Sequence, residues 1–369
     1  MKEPIICDFC GEILTDETAH KFDGKILCES CLNENTTLCS CCLDRIWSDE
    51  AEGNDILTLC RYCYENNYVT CSSCGSLIHN DDACYDDDND DAYCQSCYDK
   101  LSSNEIRAYN YKPYPIFRGE GFLYMGVELE IDEGGENSHY ARKIMDIANR
   151  DCEHIYCKHD GSLDDGFEIV SHPMTLHYHT NEMNWREVME KAVDLGYTSH
   201  NAGSCGLHIH CNRDYFGKEY DEQEEAIGRI VYFVERHWDE LVRFSRRTPG
   251  ALNRWAAKYA TISNTICETY EKAKNKDMGR YVAVNLSNYR TIEFRMFRGT
   301  LRYDTFMAAL QLVDEICRLA IRLSDYEMEQ LSWSEFVGLI DPRLKPELIT
   351  YLKSRRLYVN EPETAEEEM

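Results

Sequence analysis

YMGVELEI, at residues 124–131, reads as a strand whose two faces differ in kind. Side chains alternate across a strand, so Val127, Leu129 and Ile131 share one face while Glu128, Glu130 and then Asp132 share the other. The two glutamates leave the same side about 7 Å apart along the chain. Three further stretches repeat the arrangement. TIEFRMFRG at 291–299 sets Glu293 and Arg295 against Ile292, Phe294 and Met296, GLHIHC at 206–211 sets His208 and His210 against Leu207, Ile209 and Cys211, and DGFEIVS at 165–171 adds Glu168. Charges placed on a sheet in this way are costly to bury unless they are paired or hold a metal. Singly, a Glu-x-Glu pair is an ordinary solvated sheet face and a His-x-His pair is often structural. Their convergence within one domain points to a site.

Around these strands the pattern alternates between helix and strand. Helical periodicity appears at about 139–150, 180–195, 222–244, 264–275 and 303–323, and strand-like runs at 154–158, 166–171, 281–286 and 290–297. The expectation is an α+β domain with an antiparallel-rich sheet and one polar face. Several carboxylates with an imidazole suit Mg²⁺ or Mn²⁺, hard ions that bridge to phosphate oxygens. Arg295 and Arg298 are suited to clamp a phosphate or carboxylate with planar forks. No G-x-x-x-x-G-K-[ST] loop occurs, so this would be phosphoryl chemistry without a P-loop.

The first hundred residues are of another kind. Cys-x-x-Cys pairs stand at Cys7/Cys10, Cys28/Cys31, Cys39/Cys42, Cys60/Cys63, Cys71/Cys74 and Cys94/Cys97, and the first pair of each module recurs every 32 residues, at 7, 39 and 71. Two thiolates three positions apart on a tight turn face one tetrahedral ion, and a second such turn closes its shell. The pattern predicts three structural Zn²⁺ ions in tandem zinc-ribbon or LIM-like modules. Disulfides would need an oxidising compartment, and the chain opens MKEPIICDFC without a basic-then-apolar leader pattern. An iron–sulfur cluster usually gathers its cysteines more closely. Cys41 stands beside the ligand register and is an alternative ligand there, whereas Cys84 and His20 read as spectators.

Charge narrows the partners. Residues 1–100 hold 6 Lys and Arg against 22 Asp and Glu within a chain of net charge −28. Phosphate backbones need clustered cations, so nucleic acid is not expected to bind the cysteine-rich region, and the run DDDNDD at 86–91 reads as a solvated acidic loop. No apolar run approaches the roughly eighteen residues of a membrane-spanning helix. The boundaries that follow are zinc modules at 1–35, 36–67 and 68–104, a connector at 105–121, a catalytic domain at 122–345 and an extension at 346–369 ending in the acidic tail EPETAEEEM, expected to be disordered.

The series YMGVELEI, KHDGSLDDGFEIVSHP, CGLHIHC and YVAVNLSNYRTIEFRMFRGTL, in that order, resembles the amidoligase family of the glutamine synthetase and glutamate–cysteine ligase superfamily. The likeness is to the branch common in phage and mobile-element proteins and covers roughly residues 110–330. It implies a curved antiparallel sheet that holds divalent ions and ATP. A substrate carboxylate would take the γ-phosphoryl group, and an amine would displace phosphate to leave an amide. Matched position by position, the resemblance makes Glu128, Glu130, Glu168, His208 and Glu293 metal ligands. It sets His210 near the ATP phosphates and gives Arg295 the transferring phosphoryl group. Asp160 and Arg298 fall in matching motifs on the catalytic side, and Arg280, Asn285 and Ser171 on the nucleotide side. By their residue types alone, Asp160 is equally a turn residue and Asn285 a strand-end hydrogen bonder. The resemblance says nothing about the cysteine modules.

The expected function is therefore an ATP-dependent carboxylate–amine ligase in the cytoplasm of a bacterial or phage-infected cell, whose zinc modules recruit a peptide or protein. Neither the amine nor the general base identifies itself. Monomer or dimer is the expected assembly, without a membrane. A guanidino-kinase-like phosphotransferase and a non-catalytic interaction protein remain as alternatives.

Overall fold

The computed structural model describes residues 4–54, 56–85, 91–101, 105–203, 205–263, 265–275 and 278–359. All of the 86–91 acidic run but Asp91, most of the LSSNE stretch at 101–105 and the whole 361–369 tail lie outside the described residues. The chain divides into two compact units, one of residues 1–101 with 110–113, the other of 102–109 with 114–369.

In the first unit, small antiparallel hairpins alternate with seven-residue helices, Glu29–Asn35, Arg61–Asn67 and Gln95–Leu101. The second knuckle of a module doubles as a helix cap. Cys28 Sγ accepts the N–H of Cys31 at 3.4 Å, and Cys60 Sγ accepts that of Cys63 at 3.4 Å. Thr36, which caps the first helix, also begins the strand leading to Cys39, and Tyr68 does the same before Cys71. The first module's Phe9 and Phe22 pack on Trp47 of the second, with centroids 5.7 and 4.9 Å away, and Lys25 lies 5.0 Å over both Phe9 and Trp47.

The second unit is built on a seven-stranded sheet. Its strands are β1 (Ile106–Arg107), β2 (Met125–Ile131), β3 (Ile155–Lys158), β4 (Phe167–Ser171), β5 (Gly206–Asn212), β6 (Val284–Asn285) and β7 (Thr291–Arg298), in the order β1-β3-β4-β2-β5-β7-β6. Every pair is antiparallel except β1 with β3. The edge strand β1 lies in the stretch read as a connector.

Eleven described helices accompany the sheet: α1 (Ser138–Ala148), α2 (Leu176–Asn181), α3 (Trp185–Asp194), α4 (Tyr220–Arg236), α5 (Trp238–Ser245), α6 (Pro249–Trp255), α7 (Ile266–Lys274), α8 (Tyr303–Arg322), α9 (Asp325–Gln330), α10 (Trp333–Leu339) and α11 (Pro346–Ser354). Val127, Leu129, Ile131, Ile169, Ile209 and Phe294, each fully buried, join Trp185, Phe306 and Leu310 in one core. The expected helix over 222–244 is instead two, α4 and α5, because His237 leaves helical geometry at ψ 32° and turns its ring to the carbonyl of Leu331 at 3.1 Å. The 180–195 pattern likewise breaks into α2 and α3.

Candidate active site

Strand pairing decides which charges meet. Glu128 stands opposite His208 across β2 and β5, Glu130 opposite Glu168 across β2 and β4, and His210 opposite Glu293 across β5 and β7. His208 Nδ1 lies 3.2 Å from Glu128 Oε2 and 3.7 Å from Glu293 Oε1, and its Nε2 lies 3.7 Å from Glu130 Oε1. His210 Nε2 lies 3.2 Å from Glu128 Oε1 and 3.9 Å from Glu293 Oε1. Two overlapping groups result, Glu128/His210/Glu293 and Glu128/Glu168/His208, each with its ligand atoms within 4.8 Å of one another.

So many carboxylates in one buried patch cannot all ionise without compensation. Burial, reinforced by the Glu128 charge, holds the Glu168 carboxyl well above the usual range, and burial raises Glu130 as well. Burial opposes ionisation of Glu128 and Glu293 too and is the largest single influence, but His210, His208 and Lys158 together outweigh it at Glu128, and His210, Arg295 and His208 together at Glu293, so both are lowered, Glu128 far below the usual range. Burial works against a charged His210, yet Glu128 and Glu293 raise it.

Two buried atoms, Glu168 Oε2 and His210 Nε2, make no hydrogen bond. Glu168 Oε2 has Lys158 Nζ at 3.2 Å, an ion pair without hydrogen-bond geometry, and His210 Nε2 has only the similarly misaligned Glu128 and Glu293 oxygens. Excess acid, oxygen-rich donors and two orphaned buried atoms fit a hard divalent cation.

Arg295 donates to Glu293, whose other oxygen accepts Asn285 Nδ2 at 2.8 Å and Asn288 Nδ2 at 3.4 Å. Its guanidinium also lies over the Tyr281 ring at 5.8 Å. A cavity of about 600 Å³ adjoins Glu130, His208 and Arg295, and its lining adds Arg247, Arg254 and Arg280 with Trp255, Tyr109, Asp160 and Asp164. Arg280 donates to Tyr109 Oη at 2.5 Å. Asp160 lines the cavity and also accepts the N–H of Ser162 at 2.7 Å, so it is a turn residue as well.

Ser171 and Arg298 stand apart from this group. Ser171 falls out of phase with Glu168 on β4, and its hydroxyl accepts the N–H of Val127 at 2.9 Å within the sheet. Arg298 donates to the carbonyl of His200. A bulge between Leu207 and Ile209 shifts the β5–β7 register, so that Phe297 follows Phe294 to the core and Arg298 lies opposite Gly206.

Several site residues escaped the sequence reading, Lys158 and Arg247 foremost, with Arg254, Tyr281 and Asn288 beside them. Lys158 pairs directly with Glu168 across β3 and β4, and the alternation of IYCK at 155–158 carried that signal. Burial acts against a charged Lys158, but Glu168 and Glu128 hold it above the usual lysine range. Arg247 is buried and donates to the carbonyl of Arg295 at 2.7 Å. It follows a left-handed turn at Arg246, and nothing in RFSRRTPG marks it in advance.

The cysteine groups are equally definite. Cys7/Cys10/Cys28/Cys31, Cys39/Cys42/Cys60/Cys63 and Cys71/Cys74/Cys94/Cys97 each bring four sulfurs within 4.8 Å of one another, and each can hold a metal ion. None of these cysteines is in a disulfide. The sulfurs of Cys10 and Cys28 lie 3.7 Å apart, of Cys42 and Cys60 3.8 Å, and of Cys74 and Cys94 3.6 Å. A tetrahedron with metal–sulfur bonds of about 2.3 Å has an edge of about 3.8 Å. Cys7 is lowered to about 6, chiefly by the backbone N–H of Cys10. Cys41 instead accepts Asn67 Nδ2 at 3.4 Å, and Cys84 donates to Gln95 Oε1 at 3.1 Å.

The fold and site thus define a mixed α+β protein with an arginine-lined cavity beside clustered carboxylates and histidines. The family described as "Putative amidoligase enzyme" matches residues 146–317, a span that includes Glu168, His208, His210, Glu293 and Arg295 but starts after Glu128 and Glu130. That match supports a ligase. No curated protein matches the chain. No helix among the described residues is long and apolar enough to cross a membrane.

Proposed function

We propose that the chain is an ATP-dependent carboxylate–amine ligase acting through an acyl phosphate, and that its zinc modules recruit a macromolecular substrate or partner in the cytoplasm. The observation that carries the reading is the convergence of Glu128, Glu168, His208, His210 and Glu293, with two buried atoms unsatisfied, beside the Glu293–Arg295 pair. Glu128, Glu130, Glu168, His208 and Glu293 would hold Mg²⁺ or Mn²⁺, which supplies neutralising charge for crowded phosphate oxygens.

A carboxylate is a poor electrophile, so the task of the protein is to bring it to ATP and stabilise the charge that builds. The acid's oxygen bonds to the γ-phosphorus as ADP leaves, and the amine nitrogen then bonds to the acyl carbon as phosphate leaves. Arg295, oriented by Glu293 and Tyr281, faces the transferring phosphoryl group, while His210 serves the ATP phosphates. Arg280 and Arg254 extend the cationic lining toward the nucleotide or the acid. Asn285 acts through Glu293, which it holds in place.

The test is mass spectrometry of a host lysate incubated with the protein, ATP and Mg²⁺, compared with Glu293→Ala. Conjugates lighter by one water than their parts, present only with the unaltered protein, support the reading. Phosphorylated products without conjugates would move it to a phosphotransferase.

A further inference from the structure

In a chain of net charge −28, six arginines gather near the end of β7. Arg243 and Arg246 close α5, Arg355 and Arg356 follow α11, Arg298 ends β7 and Arg302 caps α8. Backbone contacts knit them. Arg243 Nη2 donates to the carbonyls of Arg355 at 3.2 Å and Arg356 at 3.4 Å, and Arg355 donates back to the carbonyl of Arg243 at 3.1 Å.

Their charges also act together. Burial and then Arg298, Arg246 and Arg302 lower His200, and burial raises Tyr351 against the pull of Arg355, Arg246 and Arg302. None of the six arginines makes an ion pair among the described residues.

A structural role accounts for only part of this group. Arg243 and Arg355 satisfy carbonyls at helix C-termini, where positive charge is welcome. Arg246, Arg302 and Arg356 are exposed, and of these Arg246 reaches only the hydroxyl of Tyr351 among the described residues. Arg246 and Arg356 moreover hold φ of 58° and 54°, a left-handed conformation that ordinarily falls to glycine after a helix. The sequence accepts that backbone strain at both places and gains a charge at each.

The surface adjoins the candidate active site. Arg298 lies opposite Gly206, whose N–H donates to the carboxylate of Glu130. We propose that this arginine surface docks an acidic peptide segment, which presents the carboxylate to be activated at the neighbouring site. The docking stands on the surface itself, and its catalytic purpose rests on the ligase reading.

Guanidinium forks match carboxylates and phosphates alike. A peptide is favoured because Tyr351, the ring set among the arginines, is only half-exposed and donates its hydroxyl to the carbonyl of Phe244 at 3.0 Å, which offers bases no stacking platform. The remaining acidic charge also opposes the dense charge of a nucleic acid more than that of a short peptide.

The experiment is fluorescence anisotropy of labelled deca-glutamate, deca-glutamine and a ten-nucleotide oligothymidine with the full zinc-loaded chain at low salt, without ATP. Deca-glutamate is expected to bind more tightly than the other two. Arg246→Gly/Arg302→Gln/Arg356→Gly should weaken it at least tenfold while the thermal midpoint holds or rises, because glycine relieves both left-handed residues. Should the triple variant misfold, the exposed Arg302→Gln alone must still show a loss of several-fold. Equal binding of deca-glutamine, unchanged binding by the variants, or tighter binding of the oligonucleotide would overturn the proposal. Since the assay needs no turnover, its failure leaves the ligase reading standing, and an inactive protein leaves the docking result standing.

Discussion

Glu293 is held from several sides beside the cavity: Arg295 donates to one oxygen, Asn285 and Asn288 to the other, and both histidines approach it. Removing its charge leaves Arg295 without its ion-pair partner and would leave the proposed cation short of a ligand. Glu293→Gln or Glu128→Gln should therefore cut turnover by two or more orders of magnitude, about 3 kcal/mol of transition-state stabilisation, with the circular dichroism spectrum unchanged. Arg295→Lys should fail as well, because an ammonium cannot present two parallel donors. Near-normal turnover in any of these variants would remove that residue from the site. At this scale the strand alternation made Glu128, Glu130, Glu168, His208, His210, Glu293 and Arg295 legible. Arg247 was hidden, since its place depends on a turn at Arg246 whose left-handed backbone has no marker in the sequence. Ser171 turns its hydroxyl to the N–H of Val127 and away from Glu168, a difference of strand face that a motif match does not reveal.

Among the elements, α2 is held by a histidine that must stay neutral. His179 Nε2 lies 2.9 Å from the carbonyl of Met125 and its Nδ1 accepts from Trp185 Nε1 at 3.0 Å, so one ring nitrogen donates and the other accepts. Full burial lowers it to about 4 from 6.5. The folded state thus resists a proton that the unfolded chain takes up. His179 imposes no penalty above pH ~6.5, and stability falls as pH drops from there toward ~4, by about 3 kcal/mol in full. Urea unfolding of the second unit should show this loss, and His179→Gln should flatten it. An unaltered pH slope would mean that His179 is not the titrating group.

A second joint lies between α8 and α11, where Lys345 Nζ sits 2.6 Å from Asp314 and 2.5 Å from Glu315, all buried. Lys345→Met strands Glu315 and leaves Asp314 with only the largely exposed Arg318, at 2.7 Å, and should cost about 3–5 kcal/mol, read as a lower urea midpoint. A shift under about 1 kcal/mol would show that water reaches the pair. Helices α9 and α10 went unread although both carry Ser-x-x-Glu capping boxes, Ser324/Glu327 and Ser332/Glu335. Short helices offer too few turns for periodicity to show. The β5–β7 bulge was equally silent, since alternation counts residues and cannot see one that is unpaired.

For the molecule as a whole, the sequence made the two kinds of chain plain, one through cysteine spacing, the other through strands with one charged face. The order of the seven strands was not legible, because pairing between β4, β2 and β5 joins segments dozens of residues apart and follows from packing rather than local pattern. Each cysteine group is a complete shell, so the purified protein should hold about three Zn²⁺ per chain, and stripping them should unfold the first unit. Elemental analysis near zero after chelator-free purification would refute the zinc assignment. Ligation itself is tested most directly by supplying hydroxylamine as the amine, with ATP, Mg²⁺ and the acids of a host extract, and following all products together. The account predicts a hydroxamate formed in step with ADP and phosphate, and lost in Glu293→Gln. AMP with pyrophosphate, or hydroxamate that persists in Glu293→Gln, would contradict it.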